Sequence, residues 1–202
     1  FHRNKRYRRA RHHRGRQHAV PAFGLHQRDE VRVGAERLGA RLDGGGFGFD
    51  NEVPEHRVWL EPYALGDRLV THGDWLAFVD DGGYRDARWW LSAGWEWVNE
   101  QAIEAPLYWR HVDDALRHGS GQAWHSFTLH GLVPIDAHTP IVHVSHYEAD
   151  AYACWVAAQT GDAVRLPTEF EWEHAARLHE ARARPLANFV ESKALHPMPL
   201  AK

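Results

Sequence analysis

Seventeen histidines in 202 residues are the first place to look for chemistry, because neutral imidazole is the commonest protein metal ligand. Their spacing argues against a helical metal site. The sequence holds no His-x-x-x-His and no His-Glu-x-x-His, the spacings that put two ligands on one helix face. His143 and His146 straddle a strand-to-helix junction and make only a weak pair. No Gly-x-Ser-x-Gly nucleophile elbow is present. Cys154 shares a helical face with Tyr147, Ala151 and Ala158, so it is expected as a core thiol and not as a nucleophile. Asp50, Asn51 and Glu52 could hold a hard cation through oxygen, but such side chains more often bond the backbone of their own turn. The glycine-rich run before them leads into Pro54 and a strand. A phosphate-cradling loop needs a following helix and a lysine, so phosphate binding is excluded. On these residues no catalytic, metal-ligating or substrate-contacting position is assigned.

Aromatic residues are the other candidate. Ten tryptophans lie between Trp59 and Trp172. Trp89 to Trp97 and Ala105 to Trp109 read as aromatic clusters in loops. Aromatic faces bind cations and stack bases. A base-binding platform would also need a basic groove, so core pillars of an irregular fold are the better reading.

The elements that must position these groups are short. Thr168 and Glu171 form a Thr-x-x-Glu capping box after the apolar run Ala163–Leu166 and Pro167. Pro167 and Trp172 are placed to staple the helix entry, and Phe170, Trp172 and Ala176 are expected to bury it. A second box, Thr71 with Asp74, opens a helix that buries Trp75, Phe78 and Val79 and ends at Asp81-Gly-Gly-Tyr84. A third, Ser145 with Glu148, opens a helix to about Gln159. Strands are expected as a pair within His56–Leu65, near Trp124–Leu129 and at Pro140–Val144. Residues 110–122 read as a surface loop.

With 44% hydrophobic residues the chain can bury one sizeable core. Its net charge of −3 joins two unlike parts. Residues 1–18 hold eight of the 24 Lys/Arg and no acid; the other 16 bases face 27 acids, a balance of −11. The basic segment has three readings: a nucleic-acid arm, a solvated tail, or an out-of-frame stretch of GC-rich DNA. Nothing downstream resembles a nucleic-acid module, so the last two lead, and no nucleic-acid partner is expected. The division expected is 1–38, basic and disordered or mis-framed, and 39–202, the folded part. The chain starts at Phe1 and its sole methionine is Met198, so a piece of a longer protein is expected. One cysteine suits a reducing cytosol, and the longest apolar run is too short to cross a membrane.

The string Arg165-Leu-Pro-Thr-Glu-Phe-Glu-Trp-Glu-His-Ala-Ala-Arg177 resembles the signature of the formylglycine-generating-enzyme-like, or sulfatase-modifying-factor, fold. Phe49-Asp-Asn-Glu52, Trp90-Leu-Ser-x-Gly-Trp95 and Ala194-Leu-His-Pro197 resemble one branch, the sulfoxide synthases of ergothioneine biosynthesis. Asp81-Gly-Gly-Tyr84, Ala105-Pro-Leu-Tyr-Trp109, His143-Val-Ser145 and Asn188-Phe-Val-Glu-Ser192 add to it. The resemblance implies an α+β, irregular, C-type-lectin-like fold of which this chain is the N-terminal half. It also implies Fe(II)- and O₂-dependent joining of hercynine to γ-glutamylcysteine or cysteine, in the cytoplasm. In that branch the iron ligands lie mainly in a DinB-like helical domain, and the catalytic tyrosine and substrate grips lie in the C-terminal half. Neither has a counterpart at any position here. The expectation is therefore an enzyme as parent and an inactive, marginally stable fragment that binds no iron. The alternatives are a formylglycine-generating oxidase and a non-catalytic lectin-like binding module.

Overall fold

The computed structural model describes residues 29–31, 34–41, 49–113, 122–183 and 188–199. The expectations for residues 1–28 and for the glycine-rich run at 43–48 lie outside them. Four short strands come first: β1 (Asp29–Val31), β2 (Ala35–Leu38), β3 (His56–Trp59) and β4 (Tyr63–Leu65). The expected pairing of the two strands within His56–Leu65 is replaced. β2 runs antiparallel to β3, with Leu38 opposite His56, and β1 runs antiparallel to β4, with Val31 opposite Tyr63. Residues 29–31 and 35–38, which composition had set apart, thus pair with strands of the folded part. Leu38 packs with Leu60 and Tyr63 in a small core.

The larger core is built on helices. Helix α1 (His72–Asp80) starts at the Thr71 box: Asp74 N–H donates to Thr71 Oγ1 at 3.3 Å, and Thr71 N–H donates to Asp74 Oδ2 at 2.9 Å. Gly82, at φ 80°, follows its end. Helix α3 (His146–Thr160) has the Ser145–Glu148 box and stops at Gly161, where φ is 78° and a side chain would be strained. Trp75 stacks on Tyr152 with centroids 4.9 Å apart, and Phe78, Tyr84, Trp90 and Trp155 close the cluster. The indole N–H groups find acceptors. Trp75 donates to Tyr84 Oη at 3.3 Å, Trp90 to Gly83 O at 2.8 Å and Trp155 to Asp81 Oδ2 at 2.8 Å.

Trp95 and Trp97 do not sit in a loop. They belong to α2 (Ser92–Glu100), whose N-cap Leu91 offers no side-chain bond, so the sequence carries no capping signal there. Trp90 and Trp109 are buried and Trp89, Trp95 and Trp97 are partly covered, all by this chain's own residues.

Strands β5 (Trp109–Asp113), β6 (Gln122–Thr128) and β7 (Gly131–Pro134) form an antiparallel sheet in that order, where a surface loop was expected for part of 110–122. Ile135 N–H donates to Trp124 O, so the ladder bonds of β6 and β7 fall at 126/133 and 128/131. The backbone groups of Leu132 and Pro134 therefore face away from β6, toward an edge that no strand among the described residues covers. The strand expected at Pro140–Val144 is reduced to one bridge between Thr71 and Pro140. Helix α4 (Glu169–Ala183) lies against β2, with Arg177 donating to Arg37 O at 2.8 Å and Gly39 O at 2.7 Å. The described residues are α+β, and no helix among them is long and apolar enough to cross a membrane.

Candidate functional site

The start of α4 gathers several ionisable groups: Arg165, Glu171, Tyr63 and His174. Thr168 Oγ1 accepts from Glu171 N–H at 3.2 Å, and Glu171 Oε2 accepts from Thr168 N–H at 2.8 Å. Arg165 then grips the same carboxylate with both terminal nitrogens, at 2.8 and 2.6 Å. That guanidinium holds the Glu171 carboxyl down at about 2 against the opposing effect of burial. Behind it, Tyr63 Oη donates to Glu171 O at 3.0 Å, and His174 Nδ1 lies 2.9 Å from the same hydroxyl. A hydroxyl has one proton to give. Tyr63 spends it on the carbonyl, so His174 carries its hydrogen on Nδ1 and donates. Burial, aided by the Glu171 charge, raises the Tyr63 phenol. The cluster is a matched ion pair beside a phenol that keeps its proton, and it can orient α4.

The expected buried face of α4 is replaced. Trp172 is 61% exposed and Phe170 38%; among the described residues of α4, Glu171, His174 and Ala175 are the buried positions. Charge and polarity went inward because Arg165 and Tyr63 satisfy them. Glu148 is a second buried acid, 2% exposed, and accepts from Tyr84 Oη at 2.6 Å and Ser145 N–H at 2.7 Å. Burial, then the Glu148 charge, pushes the Tyr84 phenol far above its ordinary value, so it serves as a fixed neutral donor.

The residues singled out for chemistry are scattered. His143, in the left-handed region at φ 62°, sets its ring edge-on to Tyr108 at 4.9 Å, whereas His146 opens α3 beside Tyr147. Cys154 is exposed and not a core thiol: α3 buries Glu148, Ala151, Tyr152, Ala153, Trp155 and Val156 and leaves residue 154 outside. Burial and the neighbouring Asp150 raise its thiol, which lowers the thiolate fraction. Asp50 and Glu52 take the turn-bonding role: Asp50 Oδ1 accepts from Asn51 N–H and Glu52 Oε2 from Phe49 N–H. Among the described residues no three His, Cys, Asp or Glu side chains converge. The described donor set does not fit an iron centre.

Sequence reasoning missed three features. Arg165 and Arg68 are ion-pair partners of the capping acids. The signal for both was the recurrence of Arg-Leu-x-Thr-x-x-acid-Trp at 68–75 and 165–172. His72, 6% exposed, had no signal. Asn188, Phe189, Val190, Leu195, His196 and Pro197 line a concavity of about 330 Å³ in the stretch whose motif resembles the ergothioneine branch. It is tied to the sheet by His130 Nε2, 2.9 Å from Ala194 O.

Comparison with known proteins adds to this geometry. Residues 24–196 match the sulfatase-modifying factor enzyme 1-like domain. The chain is 38% identical over 147 residues to a hercynine oxygenase of Mycolicibacterium thermoresistibile, covering 73% of this chain and 29% of that protein. It is 40% identical over 126 residues to the hercynine oxygenase of Mycobacterium tuberculosis, covering 62% and 26%. With the formylglycine-generating enzyme of Streptomyces coelicolor it shares 33% over 162 residues, covering 74% and 47%. The chain thus spans under a third of the hercynine oxygenases and about half of the formylglycine-generating enzyme. With the signature helix in place and 24–196 matched, this chain belongs to the sulfatase-modifying factor enzyme 1-like domain family.

Proposed function

We propose that the chain is the N-terminal half of the formylglycine-generating-like domain of a sulfoxide synthase of ergothioneine biosynthesis. The parent would use Fe(II) and O₂ to join hercynine to γ-glutamylcysteine or cysteine in the cytoplasm. The observation that carries this reading is the 38–40% identity to two hercynine oxygenases, against 33% to the formylglycine-generating enzyme. The described residues suit a scaffold. Arg165 and Glu171 orient α4, Tyr84 and Glu148 pin α3, and no described trio can hold a metal. On this reading the iron ligands and the substrate grips belong to a DinB-like domain and a C-terminal half outside this chain. The C-type-lectin-like description of the fold is part of the same proposal. The test joins this chain to those parts of the M. thermoresistibile relative that it does not match. Fe(II), O₂, hercynine and γ-glutamylcysteine are then supplied, and sulfoxide is measured. Sulfoxide from the fusion, with none from this chain alone, is expected; turnover by this chain alone overturns the scaffold reading. The second reading is a formylglycine-generating oxidase, favoured by the match to about half of the Streptomyces coelicolor protein. It requires the fusion to oxidise a cysteine-containing sulfatase peptide instead.

A further inference from the structure

His72 is the first residue of α1, and its side chain lies almost wholly inside. Neither ring nitrogen forms a hydrogen bond. The ring meets Trp109 edge-on, with centroids 5.5 Å apart and planes at 89°. Over the same helix end lies the turn 136–139, closed by Thr139 N–H to Asp136 O at 3.1 Å and His138 N–H to Asp136 Oδ1 at 2.9 Å. Its carbonyls take the first two N–H groups of α1. His72 N–H donates to Thr139 O at 2.8 Å and Gly73 N–H to Ala137 O at 3.0 Å. The turn lies close over the helix at residue 73: a Cβ there would sit 3.0 Å from Ala137 O and 3.1 Å from Ala137 Cβ, so the turn would have to shift to admit one. Ile141 N–H to Val70 O, at 2.9 Å, continues the join. The connection from β7 to α3 is thus fastened to the head of α1, with an imidazole enclosed at the seam.

We propose that His72 is an acid-release latch: its neutral ring lets the 136–139 turn close over α1, and its protonation opens that turn.

A cation at this place has three things against it. It is removed from water, neither ring nitrogen has a hydrogen bond of normal geometry, and it stands at the positive end of a helix dipole. The charged groups around it do not offset this. Asp136 favours the proton through its backbone and its carboxylate, without giving either nitrogen a hydrogen bond of normal geometry. His138 on the same turn, and Arg110 and His111 beside Trp109 on β5, add no negative charge. Asp74 on α1 is already committed to Arg68, at 2.5 and 3.0 Å, and to Thr71. Burial therefore outweighs Asp136 and holds the ring below the ordinary histidine range. Relief comes from rotation into solvent, which the turn blocks while its two carbonyls stay bonded. The sign follows from linkage. The open form takes up the proton more readily, so the closed form keeps its full advantage above the ordinary histidine range and loses it as pH falls.

Amide exchange on the full chain tests this. Protection factors for His72 and Gly73 are compared at about pH 7.5 and about pH 5, with α3 amides as internal reference. A drop of about tenfold or more, confined to the α1 head and the turn, is expected. His72→Gln, which cannot titrate there, should show equal protection at both pH values. Should that variant not fold, the ring proton of His72 in the unaltered chain is followed by NMR. Its midpoint should lie below the ordinary range and coincide with the loss of protection. Protection that stays constant across this range, a parallel loss in His72→Gln, or titration of His72 with the turn still closed overturns the proposal.

Discussion

Two helix starts in this molecule share one sequence frame and end in opposite surroundings. Arg68-Leu-Val-Thr-His-Gly-Asp-Trp75 opens α1, and Arg165-Leu-Pro-Thr-Glu-Phe-Glu-Trp172 opens α4. In both, the threonine caps, the acid returns to its backbone N–H, and the arginine three residues before the cap clamps the acid. Up to that point local chemistry decides everything. The tryptophan one residue further on is decided by the neighbours. Trp75 is 1% exposed beneath Tyr152 and Phe78, and Trp172 is 61% exposed. A capping frame sets where a helix begins and how it is charged; it does not say which face is buried.

The largest contrast expected is between the two indoles. Trp75→Ala should cost about 3–5 kcal/mol of unfolding free energy, as large core truncations do. Trp172→Ala should stay within about 0.5 kcal/mol, as exposed sites do. Urea unfolding of both variants measures this, and equal losses would end the contrast. Next come the clamped acids. Asp74 collects four bonds, two from Arg68 and two from Thr71, and Glu171 collects three. Asp74→Ala is expected to cost about 2–4 kcal/mol, since it strands the buried Thr71 N–H and the Arg68 guanidinium, and Glu171→Ala about 1–3 kcal/mol, since Thr168 and Arg165 are more exposed. If Glu171→Ala proved the worse, arginine exposure would not be what grades the two clamps.

How the clamps respond to acid sharpens the same pair. Both carboxyls titrate below their ordinary values, Glu171 because Arg165 bonds it and Asp74 because Arg68 and Thr71 outweigh its burial. A depressed folded value means the unfolded state takes the proton first. The stability each supplies is therefore full above the ordinary carboxylate range and lost on acidification, for Glu171 between 4.5 and about 2. Melting temperature followed down through this range should fall more steeply for the unaltered chain than for Glu171→Gln. The smallest effect is expected at Cys154, on the outward side of the helix that covers Trp75. Cys154→Ser should change stability by no more than about 0.5 kcal/mol. The thiol should react with a disulfide reagent completely, but more slowly than free cysteine at the same pH.

What the sequence disclosed follows the same division. All three capping boxes are local patterns, and each was legible in the residues themselves: Thr71 with Asp74, Ser145 with Glu148, Thr168 with Glu171. Helix α2 was not, because Leu91 caps without a side-chain bond and the tryptophans mask the helical period. The buried stripe of α4 was misread because polarity stood in for exposure. Glu171 and His174 go inward on the strength of Arg165 and Tyr63, partners 6 and 111 residues away in sequence. His72 was invisible for a related reason: what encloses it comes from Trp109 and from residues 136–139.

The open edge of β7 bears on how this chain behaves at high concentration. An exposed strand edge templates addition of further strands, and Leu132 and Val133 would make that addition favourable. Within β7, Leu132 presents the one outward backbone donor, because the next outward position is Pro134, which has none. A ladder seeded there would be left one rung long. Pro134 thus sets a stop to pairing along this edge, and any residue with an N–H at position 134 would remove it.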